Sequence, residues 1–318
     1  KATSVLISGD FKGGYPSLNL VKAENGIWSA TTESLTPDIY TYDFSVDGIR
    51  TFDPKNPQYK ESENGLSNIF LMNGKESEYC TVKNVPHGQV NKVWLHSAVL
   101  NSEIPPGYEK MKKELPVLYL QHGGGDNDGS WTTVGKANVI LDNLQAEGKI
   151  TPMIVVMPMG HPTPGFHMET GVDADPYYAI LFKDIIPYVE ATFHVSKRRY
   201  DRAYAGLSMG GLQALNIAIF KPEIFGYVLP LSTGYFPPQL TTLEEKQADA
   251  LKNPEINQLK LFWIAMGGEQ DIAYKNGKNV LALFDKYRIK YQTNDYPAGH
   301  TFITWRHNLE EFAPLLFK

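Results

Sequence analysis

From residue 116 onward, short runs that are apolar at nearly every position alternate with stretches of helical period. The runs are 116–121, 153–158 and 259–266, with a shorter one at 202–205; the helical stretches are 137–148, 180–193, 211–220 and 277–287. A strand that is apolar throughout has no face to give to water and must be covered on both sides. Helices between such strands supply that cover through βαβ crossovers, which makes the strands parallel. The expectation for 83–318 is therefore an α/β unit built on a doubly wound sheet. Ligands on such sheets bind beyond the carboxyl ends of the strands, so chemistry-bearing residues are sought there.

Residues 1–82 follow another rhythm. Val5-Leu6-Ile7 runs into Gly9-Asp10, residues 26–30 form a short strand behind a turn, and 40–46 alternates cleanly before Asp47-Gly48, a hairpin signal. Asp53-Pro54 and Asn56-Pro57 then mark an irregular exit. This part is expected to be a small all-β, immunoglobulin-like sandwich. With 318 residues, two domains are a reasonable prior.

Composition removes several function classes. A formal net charge of −5 argues against a phosphate-backbone partner, and Lys197-Arg198-Arg199 is too short a basic cluster to reverse that, so no nucleic acid is expected. The single cysteine, Cys80, rules out an internal disulfide. No apolar run reaches the ~18 residues of a membrane span. The sequence begins at Lys1 with no visible signal peptide.

The strongest motif is Gly206-Leu207-Ser208-Met209-Gly210, placed after a strand and opening an apolar helix. That context suits a serine held on a sharp strand-to-helix bend, where flanking glycines avoid clashes. A serine hydroxyl needs a base. His300, in Ala298-Gly299-His300-Thr301-Phe302 between a late strand and the last helix, is the candidate. The other seven fit less well: His307 lies within the last helix, His87, His161 and His167 sit in Pro- or Gly-rich loops, His96 and His194 end elements, and His122 belongs to another motif. The acid should follow a late strand and precede the base. Asp271, in Gly267-Gly268-Glu269-Gln270-Asp271, is favoured, with Glu269 as rival and Asp285 read as a solvated helix residue. His122-Gly123-Gly124-Gly125-Asp126 follows the 116–121 strand and offers backbone N–H groups for a developing oxyanion; the donors expected are those of Met209 and Gly124. His122 itself reads as structural. No cluster has metal-ligand spacing, and neither a metal nor a cofactor is expected.

These segments together resemble carbohydrate esterase family 1, the feruloyl and acetyl xylan esterases, related to esterase D and the mycolyltransferases. The resemblance runs from about Pro86 to Lys318. Besides the motifs above it includes Pro105-Pro106-Gly107-Tyr108-Glu109, Ile140-Leu141-Asp142-Asn143-Leu144, Trp305-Arg306 and Glu311-Phe312-Ala313-Pro314. The front part resembles the early-set (CBM48-like) domain of glycogen-branching enzymes through Asn25-Gly26-Ile27-Trp28, Tyr40/Tyr42/Phe44, Val46-Asp47-Gly48 and Asp53-Pro54-Lys55-Asn56. Related domains bind glucans; the alternative is that Trp28 and Tyr42 are core. Compared with the family, the chain looks short at Asn101-Ser102-Glu103-Ile104 and across 160–175.

The resemblance implies an α/β-hydrolase fold and hydrolysis of feruloyl esters on plant xylan or arabinoxylan through an acyl-enzyme. Acetyl xylan esterase is the alternative, and acyl transfer or non-catalytic glycan binding are alternatives of another class. Feruloyl is preferred because Trp131, Tyr235, Phe236 and Trp305 could wall an aromatic slot. The implied partner is feruloylated or acetylated xylan, and a polysaccharide substrate implies a secreted or periplasmic enzyme.

Overall fold

The computed structural model describes residues 1–11, 14–161, 170–173 and 175–318. The front part is all-β. Strands β1 (Val5–Gly9), β2 (Ser17–Asn19), β5 (Ile39–Val46), β6 (Ile49–Thr51), β7 (Tyr59–Ser62) and β8 (Gly65–Leu71) form one antiparallel sheet in the order β2-β1-β5-β8-β7, with β6 folded back on β5. Strands β3 (Val21–Lys22) and β4 (Trp28–Ser29) make a separate two-stranded ribbon. The strand expected at 26–30 is thus only two residues long. The Asp47-Gly48 turn is the β5–β6 hairpin: both residues have positive φ, 51° and 84°, the geometry this turn demands.

Side chains alternate across β5 as a strand requires. Tyr40, Tyr42 and Phe44 take one face, where Tyr40 stacks on Phe70 at 5.5 Å and Tyr42 meets Phe70 edge-on at 5.8 Å. Ile39, Thr41 and Asp43 take the other. Ile39 and, from β8, Ile69 enter the same hydrophobic cluster as Trp131, Val134 and Leu309 of the second part. The two parts therefore share a core. Tyr42 is buried, whereas Trp28 is half-buried beside Lys22, whose Nζ lies 5.4 Å from its ring.

Among the described residues the second part holds eight strands: β9 (Gln89–Trp94), β10 (Val99–Ile104), β11 (Val117–Gln121), β12 (Ile154–Pro158), β13 (Arg202–Leu207), β14 (Tyr227–Leu231), β15 (Leu261–Ile264) and β16 (Gln292–Thr293). Their order is β16-β15-β14-β13-β11-β12-β10-β9; β10 pairs antiparallel with both β9 and β12, and the remaining pairs are parallel. β11, β12, β14 and β15 are buried at every residue, as their apolar sequences require. The structure is thus the all-β region followed by the α/β-hydrolase sheet that the sequence led us to expect.

The short connection at Asn101-Ser102-Glu103-Ile104 is paired strand, antiparallel to both β9 and β12. Most of the other short stretch, 162–169 and 174, lies outside the described residues, as does His167. No helix among the described residues is long and apolar enough to cross a membrane.

The strand order decides where the site forms. From β11 the chain crosses to β12 on one side, then returns to place β13 on the other. The loops leaving β11 and β13 consequently diverge from adjacent strands, a topological switch point. Gln121 is the register partner of Gly206, so the residues that follow, His122-Gly123 and Leu207-Ser208, emerge side by side.

Candidate active site

Ser208 is the residue between β13 and the helix Met209–Phe220, with φ 53° and ψ −111°. A non-glycine residue at positive φ outside the left-handed well stores ~1–3 kcal/mol of strain. The glycines make the bend possible by letting backbones touch. A Cβ on Gly206 would lie 2.3 Å from the Gly210 carbonyl oxygen, and one on Gly210 would lie 2.5 Å from that of His122.

His300 precedes the C-terminal helix Phe302–Phe312, after Gly299 at φ 73°. Its Nε2 lies 2.9 Å from Ser208 Oγ and its Nδ1 2.7 Å from Asp271 Oδ1. Asp271 is buried after β15. The Gly267 N–H donates to its Oδ2 at 2.8 Å, and the Ala273 N–H to its Oδ1 at 2.9 Å. Burial by itself would raise this carboxyl. The hydrogen bond and charge of His300, with the Ser232 hydroxyl and the Ala273 N–H, outweigh it and leave Asp271 below the ordinary aspartate value. A buried, ionised carboxylate on Nδ1 holds the proton there and leaves Nε2 free to accept one from the serine. Glu269 and Asp285 are exposed, and Asp285 accepts from the Tyr291 hydroxyl at 2.8 Å. Of the three carboxylates, only Asp271 meets His300.

The loop after β11 passes directly over the bend. A Cβ on Gly123 would lie 3.2 Å from Ser208 Cβ. Gly124 and Ser208 line the same cavity, and Met209 opens a helix, where N–H groups lack intrahelical partners. His122 is fully buried; its Nε2 accepts from the Gly160 N–H at 2.9 Å, so Nδ1–H donates to the Gly123 carbonyl at 2.8 Å. Burial pushes its pKa down to about 4, which keeps it neutral. It fixes the loop.

Ser208, His300 and Gly124 open into a cavity of about 700 Å³. On the catalytic side its walls include Gly123, Gly125, Leu207, Phe302 and Trp305. Trp305 stands edge-on to His300 at 5.1 Å and donates from Nε1 to Ser208's neighbour across the sheet, Ser232 Oγ, at 2.9 Å. The other three aromatics expected as walls are corrected. Trp131 is 1% exposed, its Nε1 tied to the Gln121 carbonyl at 3.0 Å, and it packs beneath Phe302. Tyr235 is fully buried and donates to Asn216 Oδ1 at 2.8 Å. Phe236 is exposed at the start of the helix Pro237–Lys246 and is not among the cavity's lining residues. Trp131 and Tyr235 are core because large aromatic surface is most stable out of water, and a sequence does not say which face of the sheet such a residue takes.

The opposite wall comes from the front sheet: Asp10, Tyr15, Thr41, Asp43, Arg50 and Lys60. No motif pointed to these residues, because they come from β5, β6, β7 and the connection between β1 and β2, and are collected only by sheet pairing. The front part also grips the machinery at two points. Lys60 pairs with Asp126 at 2.7 Å and the Glu63 N–H donates to the Gly125 carbonyl at 2.8 Å, both on the glycine loop. On the other side Asp38 Oδ1 accepts from Arg306 Nη2 at 2.6 Å and Nε at 3.1 Å, and Asp38 Oδ2 meets His307 Nε2 at 3.0 Å. Arg306 is fully buried on the helix that follows His300, and also donates to the carbonyls of Ile39 and Val134.

The chain is 34% identical over 330 residues to an endo-1,4-beta-xylanase/feruloyl esterase of Xylanibacter ruminicola; the match takes in 100% of this chain and 43% of that relative's length. Two solved structures share the fold. The enterobactin esterase of Shigella flexneri is 19% identical with a TM-score of 0.75 and matches 99% of this chain and 88% of its own. A feruloyl esterase module from Clostridium thermocellum, complexed with sinapinate, is 22% identical with a TM-score of 0.63, covering 82% and 94%. The family described as "Putative esterase" matches residues 98–316. The chain belongs to this esterase family.

Proposed function

We propose that Ser208, His300 and Asp271 are the catalytic residues, and that the ester hydrolysed is a feruloyl (hydroxycinnamoyl) ester carried by xylan or arabinoxylan. Ser208 Oγ attacks the acyl carbonyl while His300 Nε2 takes its proton and Asp271 steadies the imidazolium. The N–H groups of Met209 and Gly124 receive the oxyanion. Collapse breaks the ester C–O bond, and His300 returns the proton to the departing sugar oxygen. Water, deprotonated by the same imidazole, then attacks the acyl-enzyme and releases the free acid and Ser208.

The observation that carries this reading is the unbroken Ser208–His300–Asp271 hydrogen-bond chain, opening into a cavity much larger than an acetyl group needs. Phe302 and Trp305, which edge the cavity beside the serine, supply apolar surface for an aromatic acid. The relative named a feruloyl esterase matches across the whole chain, which supports the same choice. We further propose the division 1–82 and 83–318, with the front part resembling an early-set domain, and an enzyme that meets its polysaccharide outside the cytoplasm. The test is a panel of acetyl, coumaroyl and feruloyl esters given to the enzyme and to Ser208→Ala. Feruloyl and coumaroyl turnover above acetyl, lost in Ser208→Ala, is expected; acetate release alone reverses the substrate assignment.

A further inference from the structure

The wall of the cavity facing Ser208 is built from one face of the front sheet together with Asp10 and Tyr15 of the β1–β2 connection, and its chemistry differs from that of the wall carrying Ser208. Along β5, Thr41 and Asp43 share a face and point into the cavity, while the alternating Tyr40 and Tyr42 pack on the other side. Neighbouring strands add to that face. Arg50, on β6, donates from Nη2 to Asp43 Oδ2 at 2.9 Å and to Ser67 Oγ, on β8, at 3.0 Å, and from Nη1 to the Asn64 carbonyl at 2.6 Å. The Tyr15 hydroxyl donates to the same Asp43 oxygen at 3.1 Å. Asp10, just past β1, accepts from the Thr41 N–H at 2.6 Å. Asp10, Thr41, Asp43 and Ser67 are each at most 6% exposed although they border a cavity.

A buried polar face of this kind is costly unless its groups are satisfied. The cross-links above hold the side chains in fixed positions, so little ordering remains for a ligand to impose. Two of the three carboxylates here are paired with cations: Arg50 stands on Asp43, and Lys60 on Asp126. Burial raises the Asp10 carboxyl to about 6, so this corner disfavours a further negative charge. Donors and acceptors are interleaved, which suits a hydroxyl, able to donate and accept at once, better than a carboxylate.

We propose that this face, centred on Tyr15, Asp43 and Arg50, is a recognition subsite for the uncharged hydroxyl-bearing end of the ester. It rests on the reading of Ser208 as the nucleophile, since the two walls enclose one cavity. The hydroxyl has two sources, the phenol of the acyl group and the sugar of the alcohol. A site built to hydrogen-bond a hydroxyl discriminates against the analogue that lacks it, because its polar groups are left unpaired.

The experiment measures kcat/KM of the full chain, Tyr15→Phe and Arg50→Gln on two matched pairs: methyl 4-hydroxycinnamate against methyl cinnamate, and arabinosyl ferulate against methyl ferulate. The wild type is expected to prefer the hydroxyl-bearing member of at least one pair. Both variants are expected to shrink that preference about tenfold, and the pair that responds names the source. Tyr15→Phe removes one oxygen from a half-exposed residue, so it carries the test should Arg50→Gln unfold, which a melting curve reports. Preferences unchanged in both pairs, with Ser208→Ala inactive, overturn the subsite and leave the esterase mechanism standing. Turnover surviving in Ser208→Ala overturns the mechanism, and the subsite with it.

Discussion

The two parts of this molecule put polar groups at the candidate active site by opposite routes. In the α/β half, Ser208, His300 and the glycine loop each follow a strand or precede a helix, so chain topology delivers them to one end of the sheet. In the front half, Asp43 and Arg50 lie on the body of a sheet face that elsewhere carries Ile39 and Ile69 into the shared core. One half positions its groups at loop ends and strains a single residue to do so; the other lays them across paired strands and fixes them by cross-strand hydrogen bonds. Sites on the rigid body of a sheet hold a ligand in register, while sites at loop ends bring reacting atoms together.

Removing the serine hydroxyl breaks the first half most completely. Ser208→Ala should cut ester turnover by about 10,000-fold or more with the melting temperature little changed or raised, as loss of an activated nucleophile does; steady-state kinetics and a thermal melt check both. Asp271→Asn keeps the shape but spoils the Nδ1 proton arrangement, and should lower kcat by roughly 1,000- to 10,000-fold. Glu269→Gln, exposed and away from His300, should change it less than twofold, and equal effects from the two would return the acid's role to the rival.

The join between the halves is the next place to press. Arg306 is a fully buried cation and Asp38 its carboxylate partner. Burial raises that carboxyl, yet Arg306 and His307 more than offset it, leaving Asp38 ionised below its ordinary value. Asp38→Ala strands the guanidinium and should cost about 3–5 kcal/mol in urea denaturation. Replacing both partners with apolar residues should recover part of that loss. An Asp38→Ala loss under 1 kcal/mol would mean that the front sheet is not fastened to the His300 helix through this pair.

The smallest effect concerns Asp10. Its folded carboxyl titrates at about 6, above the ordinary 3.8, so the ionised form is penalised in the folded state. The penalty is fully present above pH 6 and fades as pH falls through 6 toward 4. Asp10→Asn, whose side-chain oxygen can still accept from the Thr41 N–H, should therefore stabilise the protein at pH 8 by up to about 3 kcal/mol and confer little at pH 4. Melting curves at the two pH values measure the difference.

The sequence by itself determined the α/β part and the residues proposed to react. Fully apolar runs can only be strands covered on both faces, and Gly-Leu-Ser-Met-Gly between strand and helix admits few backbones besides the strained bend at Ser208. His300 and Asp271 were readable because chain order and flanking glycines place them at loop ends. Tertiary structure alone decided which aromatics face the cavity: Trp131 and Tyr235 went to the core and Phe302 to the wall. It also decided that Asp10, Asp43 and Arg50 meet across from Ser208, and that Asp38 pairs with Arg306, 268 positions away. Local sequence sets periodicity and bends, since those depend on neighbours along the chain. Which face is buried, and against what, depends on partners that only the closed fold brings within reach.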